Sequence, residues 1–509
     1  MLGHPANWGG LKNPPGQCPL HVGAPLPGVR GAYAPSGHFR INVFSVLGLQ
    51  AQDILSQCDN IANQGVRGHF HDFALDGIGS WKILVPHTVY PPREDTELMC
   101  KAVADLRRSD GLALEIGCGS GAVTLVLASL GWDVLACDVN PFAVAATRGN
   151  LEEHGLQENV EVVETGINDG LEIPDNTTLI VWNLPYLEPE VTKGRLDSIE
   201  EASFTDIEGG GWSELLMELL TRDNDAMNDD CLVLLLFRTD PKSPSSPFSW
   251  KRSGWSARSV ASLRLGGERL QVFALWKPGQ GIGPRELERC DSTMDEAVSI
   301  GGDGWQRVFA HEQARGRGRR GSEWKSRRGD VSATWSLSPE VAGKLSPGLL
   351  QTSIGAIVSN ALGAEVKWPN DIMSDDIRKM GGILVESSDS ENIRVGVGVN
   401  GRDFEEEGIN ASGWSNTLGE MSGVEVFRTI DASISTHFED TGWLPMPTVD
   451  ELLDISWRGI SRQLSRGASI KLGGTNLRPV GISTSGGLEA LGRESSRIVD
   501  DLDGLEWLF

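Results

Sequence analysis

No run of the sequence approaches the ~18 apolar residues that a membrane-spanning helix needs. The longest, Cys231 to Phe237, has the length of a buried strand. The first residues, Met1-Leu2-Gly3-His4, lack a basic segment leading into an apolar one, so no secretory signal is expected. Seven cysteines form no Cys-x-x-Cys pair and no regular framework. That argues against a disulfide scaffold or zinc site and for reduced thiols in a cytoplasm. No period marks a solenoid. Basic charge is also scarce: 45 Lys and Arg stand against 70 Asp and Glu, a net charge of −25. The deficit is shared, with 35 acids and 21 bases in residues 1–280 and 35 and 24 in residues 281–509. Broad attraction to DNA or RNA is therefore not expected, since phosphate binding needs clustered Lys and Arg. What is present, 39% hydrophobic and 23% charged residues over 509 positions, describes a soluble chain of two to four domains.

Residues 1 to about 75 are rich in Pro and Gly through Ser36, with a helix expected from about Asn42 to Ala62 as a cap or tether. From about 80 to 277, strands and helices alternate. Strands are expected at Leu112–Gly117, Asp133–Asp138, Val160–Thr165, Leu179–Asn183, Cys231–Phe237 and Leu270–Trp276, with helices at Gly121–Leu130 and Pro141–His154. This alternation predicts a mostly parallel sheet covered by helices on both faces. Asp240–Ser249, with three prolines, reads as a loop. Pro278-Gly279-Gln280-Gly281-Ile282-Gly283-Pro284 reads as a domain boundary that few contacts should cross. Beyond it come a strand near Val308–Glu312 and a helix presenting Leu350, Ile354, Ile357, Val358 and Ala361 on one face. Strands are expected at Glu365–Trp368, Ile383–Glu386 and Arg394–Val399. After Leu464, alternating residues with Gly-Gly turns at 473–474 and 486–487 suggest a small barrel.

Leu114-Glu115-Ile116-Gly117-Cys118-Gly119-Ser120-Gly121 falls at a strand-to-helix junction, where glycines let the backbone turn tightly and approach a ligand. Asp138 ends the next strand, placed to accept from the ribose hydroxyls of an adenosine. A loop of this kind by itself also suits NAD or a plain turn. Asn183-Leu184-Pro185-Tyr186, ending a later strand, separates these readings. An asparagine oxygen with a backbone carbonyl can accept both N–H bonds of a planar amide or amine, while a tyrosine ring stacks on it. These residues resemble class I N-methyltransferases, whose motif is usually Asn-Pro-Pro-Tyr. Val89-Tyr90-Pro91-Pro92-Arg93-Glu94-Asp95-Thr96-Glu97-Leu98 resembles the segment before the first strand in enzymes that methylate the Gly-Gly-Gln glutamine of class 1 translation release factors, and most of all their archaeal and eukaryotic branch. The resemblance implies that Glu115, Gly117, Gly119, Gly121, Asp138 and Asn183 hold S-adenosylmethionine, and that Asn183 and Tyr186 hold the acceptor. Leu184 departs from the motif's first proline, and relatives with this motif also methylate adenine, cytosine and lysine.

In the second half, Asp291-Ser292-Thr293 offers hydroxyls for a small polar head, or equally a helix cap. Gln313-Ala314-Arg315-Gly316-Arg317-Gly318-Arg319-Arg320-Gly321-Ser322-Glu323-Trp324 interleaves glycine with guanidinium, a pattern that can wrap phosphates. Lys367-Trp368-Pro369-Asn370-Asp371, Arg378-Lys379-Met380-Gly381-Gly382-Ile383-Leu384-Val385-Glu386 and Gly396-Val397-Gly398-Val399-Asn400 complete the set. In this order they resemble the biotin protein ligases, and the arginine-glycine loop disfavours a lipoate ligase. The resemblance implies a two-step reaction. Biotin and ATP give biotinyl-5′-AMP, which a lysine of a biotin carboxyl carrier protein then attacks. It implies that Ser292, Thr293, Gln313, Gly316, Arg317, Arg319, Arg320 and Lys379 contact biotin or its adenylate. Trp324 and Asn400 fall near the adenine and ribose. Lys379 and Arg319 would offset phosphate charge, and Asp371 would meet magnesium or the incoming lysine. Ser322 stands where relatives are often basic. No helix-turn-helix precedes this half, so a repressor role is not expected.

The expected architecture is α/β followed by α+β. Residues 1–80 form an extension and 81–277 a Rossmann-like class I methyltransferase domain. Residues 278–284 are a linker, 285–445 a ligase catalytic domain with a mixed sheet and helices, and 446–509 a small SH3-like β-barrel. The expected protein is a cytoplasmic bifunctional enzyme using S-adenosylmethionine, ATP with Mg2+, and biotin. Its expected partners are a carrier protein and a release factor. The alternative is a ligase whose front half is only a binding module.

Overall fold

A computed structural model of the chain describes residues 68–187, 205–300, 305–338, 341, 343–387, 393–406, 408–493 and 495–509. The helix expected at Asn42–Ala62 lies outside the described residues. The described part opens with an antiparallel hairpin, β1 (Gly68–Leu75) and β2 (Gly79–Pro86), and a helix α1 (Glu94–Ala104). A seven-stranded sheet follows, with β3 (Leu112–Ile116), β4 (Asp133–Asp138), β5 (Val160–Glu164), β6 (Thr177–Trp182), β7 (Met227–Asp240), β8 (Ser256–Leu265) and β9 (Glu268–Trp276) in the order β5-β4-β3-β6-β7-β9-β8. Its first five strands are parallel, and β9 pairs antiparallel with both β7 and β8. Helices α2 (Ala122–Ser129), α3 (Pro141–Glu153), α4 (Gly211–Arg222) and α5 (Pro247–Arg252) interleave with the strands. The apolar runs of β6 and the middle of β7 are buried throughout, as strands covered on both faces require. Chain order reverses between β3 and β6, so the loops leaving their carboxyl ends flank the crevice where α/β sheets bind ligands.

The strands expected in this half are present, and α3 starts at the expected proline, with Asn140 capping it through a bond from the Phe142 amide. Expectation and structure differ in three places. The loop assigned to 240–249 ends inside α5, because Ser246 caps and Pro247 starts a helix. The hairpin β1–β2 and the strand β8 carried too little sequence pattern to be placed.

Beyond residue 284 lies a nine-stranded mixed sheet. Its strands include β10 (Arg285–Leu287) and β11 (Gln306–Ala310), separated by helix α6 (Thr293–Ile300). The arginine-glycine loop forms its own small ribbon from β12 (Gly316–Arg317) and β13 (Glu323–Trp324). The sheet continues through β14 (Val331–Leu337), β15 (Glu365–Lys367), β16 (Asp371–Met373), β17 (Lys379–Ser387) and β18 (Ile393–Val399), with β19 (Phe404–Glu406) and β20 (Ile409–Ala411) at its margin. Helices α7 (Pro347–Ala361), α8 (Gly423–Phe438) and α9 (Val449–Ser465) pack on it. The last strands, β21 (Ser469–Leu472), β22 (Thr475–Ile482), β23 (Leu488–Leu491), β24 (Ser496–Val499) and β25 (Leu505–Leu508), form one antiparallel sheet in the order β24-β23-β22-β21-β25. No ladder joins β24 to β25 among the described residues. One apolar core runs from Phe309 through α7, α8 and α9 to Ile470, Leu477 and Val499.

The expectation that few contacts cross 278–284 is overturned. Trp443 and Leu444, far beyond the linker, belong to the apolar core of the front half. The Arg307 guanidinium of β11 donates to the Ile282 carbonyl in the linker itself. Glycines and prolines marked a change of chain direction, and the surfaces on either side closed over it.

Candidate active sites

In the front half, β3 runs into a turn in which Gly117, Gly119 and Gly121 all have positive φ (71°, 56° and 86°). The third is sterically demanded twice, since a Cβ at Gly121 would lie 3.0 Å from the Thr147 side chain. The turn brings Asp138, at the end of β4, against the loop. The Gly119 amide donates to its Oδ2 and the Asn140 amide to its Oδ1, each at 2.9 Å. Burial pushes the Asp138 carboxyl above its ordinary pKa, and these backbone donors oppose the rise. Each oxygen keeps a lone pair for a further donor. Glu115 is deeper, 3% exposed, and accepts from Thr124 Oγ1 at 2.5 Å.

Glycine loop, Asp138, Asn183 and Tyr186 all line one cavity of about 670 Å3, together with Tyr90, Asp95, Phe142, Trp182 and Trp212. Asn183 leaves β6, and its Nδ2 donates to Asp95 Oδ2 at 3.2 Å. With Nδ2 so held, Oδ1 is the acceptor left to the amide, buried with no partner among the described residues. Asp95 is itself 3% exposed, taking the Tyr90 hydroxyl and the Thr96 amide on its other oxygen. Burial raises the hydroxyl pKa of both Tyr90 and Tyr186, so both remain neutral donors. Tyr90 and Asp95 lay inside the quoted Val89–Leu98 motif but were not singled out. Nothing local says that a segment before the first strand will reach the end of the fourth. Leu184, which stands at the motif's first proline, is 1% exposed and belongs to the same apolar cluster as Leu216 and Trp250.

In the second half, the repeat Gly396-Val397-Gly398-Val399 is explained by strand alternation. Val395, Val397 and Val399 enter the core, while Gly396 and Gly398 face the other way. Register places Asp371, Gly382, Gly398 and Ser332 in one row across β16, β17, β18 and β14. A Cβ at Gly398 would lie 2.5 Å from the Trp324 ring, so this glycine admits the indole of the arginine-glycine ribbon. Around the same floor, Thr334 Oγ1 donates to Thr293 Oγ1 at 2.9 Å. Gln313 Oε1 accepts from the Thr293 amide and hydroxyl at 2.8 and 3.0 Å. Gly316 leaves no room for a Cβ beside Gln313 Nε2, 2.5 Å away. Asn400 donates through Nδ2 to the Ser412 carbonyl at 3.1 Å. Among the described residues, three buried polar atoms here have no partner: Ser292 Oγ, Trp324 Nε1 and Asn400 Oδ1.

The arginines are held by carboxylates or amides from several elements. Arg317 bonds Asp295 at 2.9 Å and Glu386 at 3.3 Å, and Arg319 reaches Asn370 Oδ1 at 3.4 Å. Arg320, at φ 55°, turns toward the last sheet and pairs with Asp503 at 2.6 Å. Ser322 closes the ribbon by donating to the Arg319 carbonyl at 2.8 Å. Lys379 Nζ lies 2.6 Å from Asp371 Oδ1. Asp371 is therefore neutralised by the chain's own cation, and among the described residues no three metal-ligating side chains cluster.

Two family models match the two halves of the chain. Residues 113–201 match the methyltransferase domain model, and residues 298–400 match the biotin/lipoate A/B protein ligase family. The chain joins a methyltransferase domain to a biotin/lipoate-ligase-family domain. It is 38% identical over 130 residues to the biotin--[acetyl-CoA-carboxylase] ligase of Paracoccus denitrificans, covering 22% of this chain and 52% of that protein. It is 28% identical over 125 residues to the release factor glutamine methyltransferase of Dictyoglomus turgidum, covering 22% and 44%. The chain thus spans about half the length of these two curated relatives. A putative protein N5-glutamine methyltransferase of Methanocaldococcus jannaschii is 24% identical over 204 residues, covering 40% of this chain and 98% of that protein.

Burial raises the Glu115 pKa from 4.5 to about 8. Between these values the folded chain holds a proton that the unfolded chain has released, so this group's contribution to stability falls as pH rises from about 4.5 to 8. Glu115→Gln, without cofactor, is expected to raise the melting temperature at pH 8 and to change it little at pH 4.5. Equal shifts at both pH values would show that Glu115 does not carry this dependence.

Proposed function

We propose that the chain is a bifunctional enzyme. One site attaches biotin to a lysine of a carrier protein by way of biotinyl-5′-AMP. The other methylates a protein glutamine, in the Gly-Gly-Gln loop of a class 1 release factor. The observation that supports both is the same. Each site holds buried polar atoms with no partner among the described residues, Asn183 Oδ1 in one and Ser292 Oγ, Asn400 Oδ1 and Trp324 Nε1 in the other. Leaving such atoms unpaired costs about 1–3 kcal/mol each, which a ligand of matching pattern recovers.

In the methyltransferase, S-adenosylmethionine would supply an electrophilic methyl group. The chain's part is to orient the acceptor. Asn183 Oδ1 would accept one N–H of the glutamine amide, drawing its lone pair out of conjugation. Tyr186 would stack on the amide plane. Gly117, Gly119 and Gly121 would carry the cofactor past the backbone, and Asp138 would accept from its ribose. In the ligase, Ser292 and Thr293 would bind the polar ring of biotin. Arg317, Arg319 and Lys379 would offset the charge that develops when the biotin carboxylate attacks the α-phosphate of ATP. Arg320 would join them on leaving Asp503. ATP would bring Mg2+, and the carboxylate best placed to meet it is Asp371, once Lys379 has turned to the phosphate. The glutamine in the names of two of the methyltransferase relatives favours an amide acceptor over a nucleic-acid base or a lysine, and the acidity of the half fits that choice. None of the described helices is long and apolar enough to cross a membrane. The compartment proposed is the cytoplasm.

Arg319→Ala is expected to slow biotin transfer to a carrier protein and shorten the lifetime of the adenylate. The loss of one charge-assisted bond, about 1.5–3 kcal/mol, corresponds to roughly tenfold to a hundredfold. Unchanged ligation and lifetime would remove the loop from the phosphate.

Asn183→Ala is expected to abolish methyl incorporation into a Gly-Gly-Gln release factor while binding S-adenosylmethionine nearly as well as the parent. Asp138→Ala should weaken cofactor binding first. A parent that binds the cofactor yet leaves the release factor unmethylated would overturn the substrate. One that binds no cofactor at all would leave the front half a docking module.

A further inference from the structure

We propose that the methyltransferase sheet is the permanent docking surface of the ligase, and that residues 431–445 clamp the two halves into one cooperative unit. The default for two domains joined by a Gly-Pro linker is relative motion, unless the interface is large and apolar. Here the edge of the front sheet opposite β5 is covered by α8 and the segment after it. Ser256 and Ala257 of β8 are buried under α8. The Ala257 amide donates to Thr436 Oγ1 at 3.1 Å, and Ser256 and Ser435 bond through their hydroxyls at 2.5 Å. The Arg258 guanidinium spans the carbonyls of Thr436 and Pro445 at 2.8 and 2.7 Å.

Past the helix, Glu439 is 3% exposed and accepts from Trp276 Nε1 and from the Gly279 amide of the linker. Trp443 then inserts into the front half. It is 0% exposed, stacks on Trp132 with ring centroids 6.0 Å apart, and lies under the Arg108 guanidinium. Its Nε1 donates to the Asp230 carbonyl at 2.7 Å, and its own carbonyl accepts from the Arg107 amide at 3.1 Å.

The polarity of these contacts decides the matter. Separating the halves would strand the Gly279 and Ala257 amides, the Trp276 indole N–H and the Arg258 guanidinium, and would bare Trp132. A slack tether leaves no such debts on either surface. The same helix reaches into the ligase, where Asp431 bonds Arg307 of β11 and Trp335 of β14. The clamp therefore belongs to both cores, and neither half keeps its buried groups paired without the other. Trp132 also follows α2, whose other end is the glycine loop at Gly121, so the clamp bears on the far end of the helix that shapes the cofactor site.

The decisive experiment inserts a protease site between Gly283 and Pro284 of the full chain, followed by cleavage and gel filtration in native buffer. The expected result is two fragments on a denaturing gel that co-elute as one native species. Elution as two separate species would overturn the proposal. Calorimetry of the uncut chain provides an independent measure, with a single transition expected. Trp443→Ala should lower that transition by about 5 °C or split it in two, and Trp443→Phe, which keeps the stacking and loses the N–H, should fall between. A parent with two separate transitions, or a Trp443→Ala chain that melts like the parent, would count against the clamp. If Trp443→Ala does not fold, the Trp443→Phe midpoint serves as the comparison, and no change there is the adverse result.

Discussion

Asp431 sits buried in the middle of α8, taking one guanidinium N–H of Arg307 and the indole N–H of Trp335. Burial pushes its carboxyl pKa upward, and those two donors oppose the rise. A buried carboxylate with one partner removed is destabilising by roughly 3–5 kcal/mol, so the helix, the first ligase strands and the linker carbonyl that also binds Arg307 are constrained together. Much of the rest follows from that arrangement. With α8 fixed, its last turn presents Ser435 and Thr436 to β8, and the segment after it delivers Glu439 and Trp443 to the front half.

Both candidate sites use the same local device. Removing a side chain at one point of a strand or turn lets something else approach the backbone. At Gly121 the space is filled by Thr147, which lets the loop close on Asp138. At Gly398 it is filled by the indole of Trp324, which lets the arginine-glycine ribbon lie on the sheet. In each case a buried amide is fixed from behind: Asn183 by Asp95 and Asn400 by the Ser412 carbonyl. The oxygen left over then faces the place a ligand would fill. Polar groups oriented before a ligand arrives do not have to be ordered on binding, which favours both affinity and rate.

Much of this was legible in the residue order because it depends on local chemistry. The glycine turn after Ile116, the proline-initiated helix at Pro141 and the buried run at Cys231–Phe237 are each set by backbone preference or period. The helices α8 and α9 each begin with a capping box, Ser422 with Glu425 and Thr448 with Glu451, a local signal that marks where they start. Asp95, which also takes the Tyr90 hydroxyl, acts across 88 residues on Asn183, a contact that the local motif does not encode. The pairing of Arg320 with Asp503, 183 residues away, could not be inferred from a run of arginines.

The sequence by itself marked two candidate sites, because each rests on short segments whose glycines, amides and charges have local reasons to be where they are. Only the tertiary structure decided how the halves relate. A linker of glycine and proline says that the chain bends, and its composition is the same whether the flanking domains tumble freely or lock. The lock comes from Trp443 meeting Trp132 and from Glu439 meeting Trp276, contacts between residues 311 and 163 positions apart. No periodicity encodes contacts at such separations. They exist because burying two indoles and pairing the Trp276 and Trp443 ring N–H groups across the two surfaces is lower in free energy than hydrating them apart.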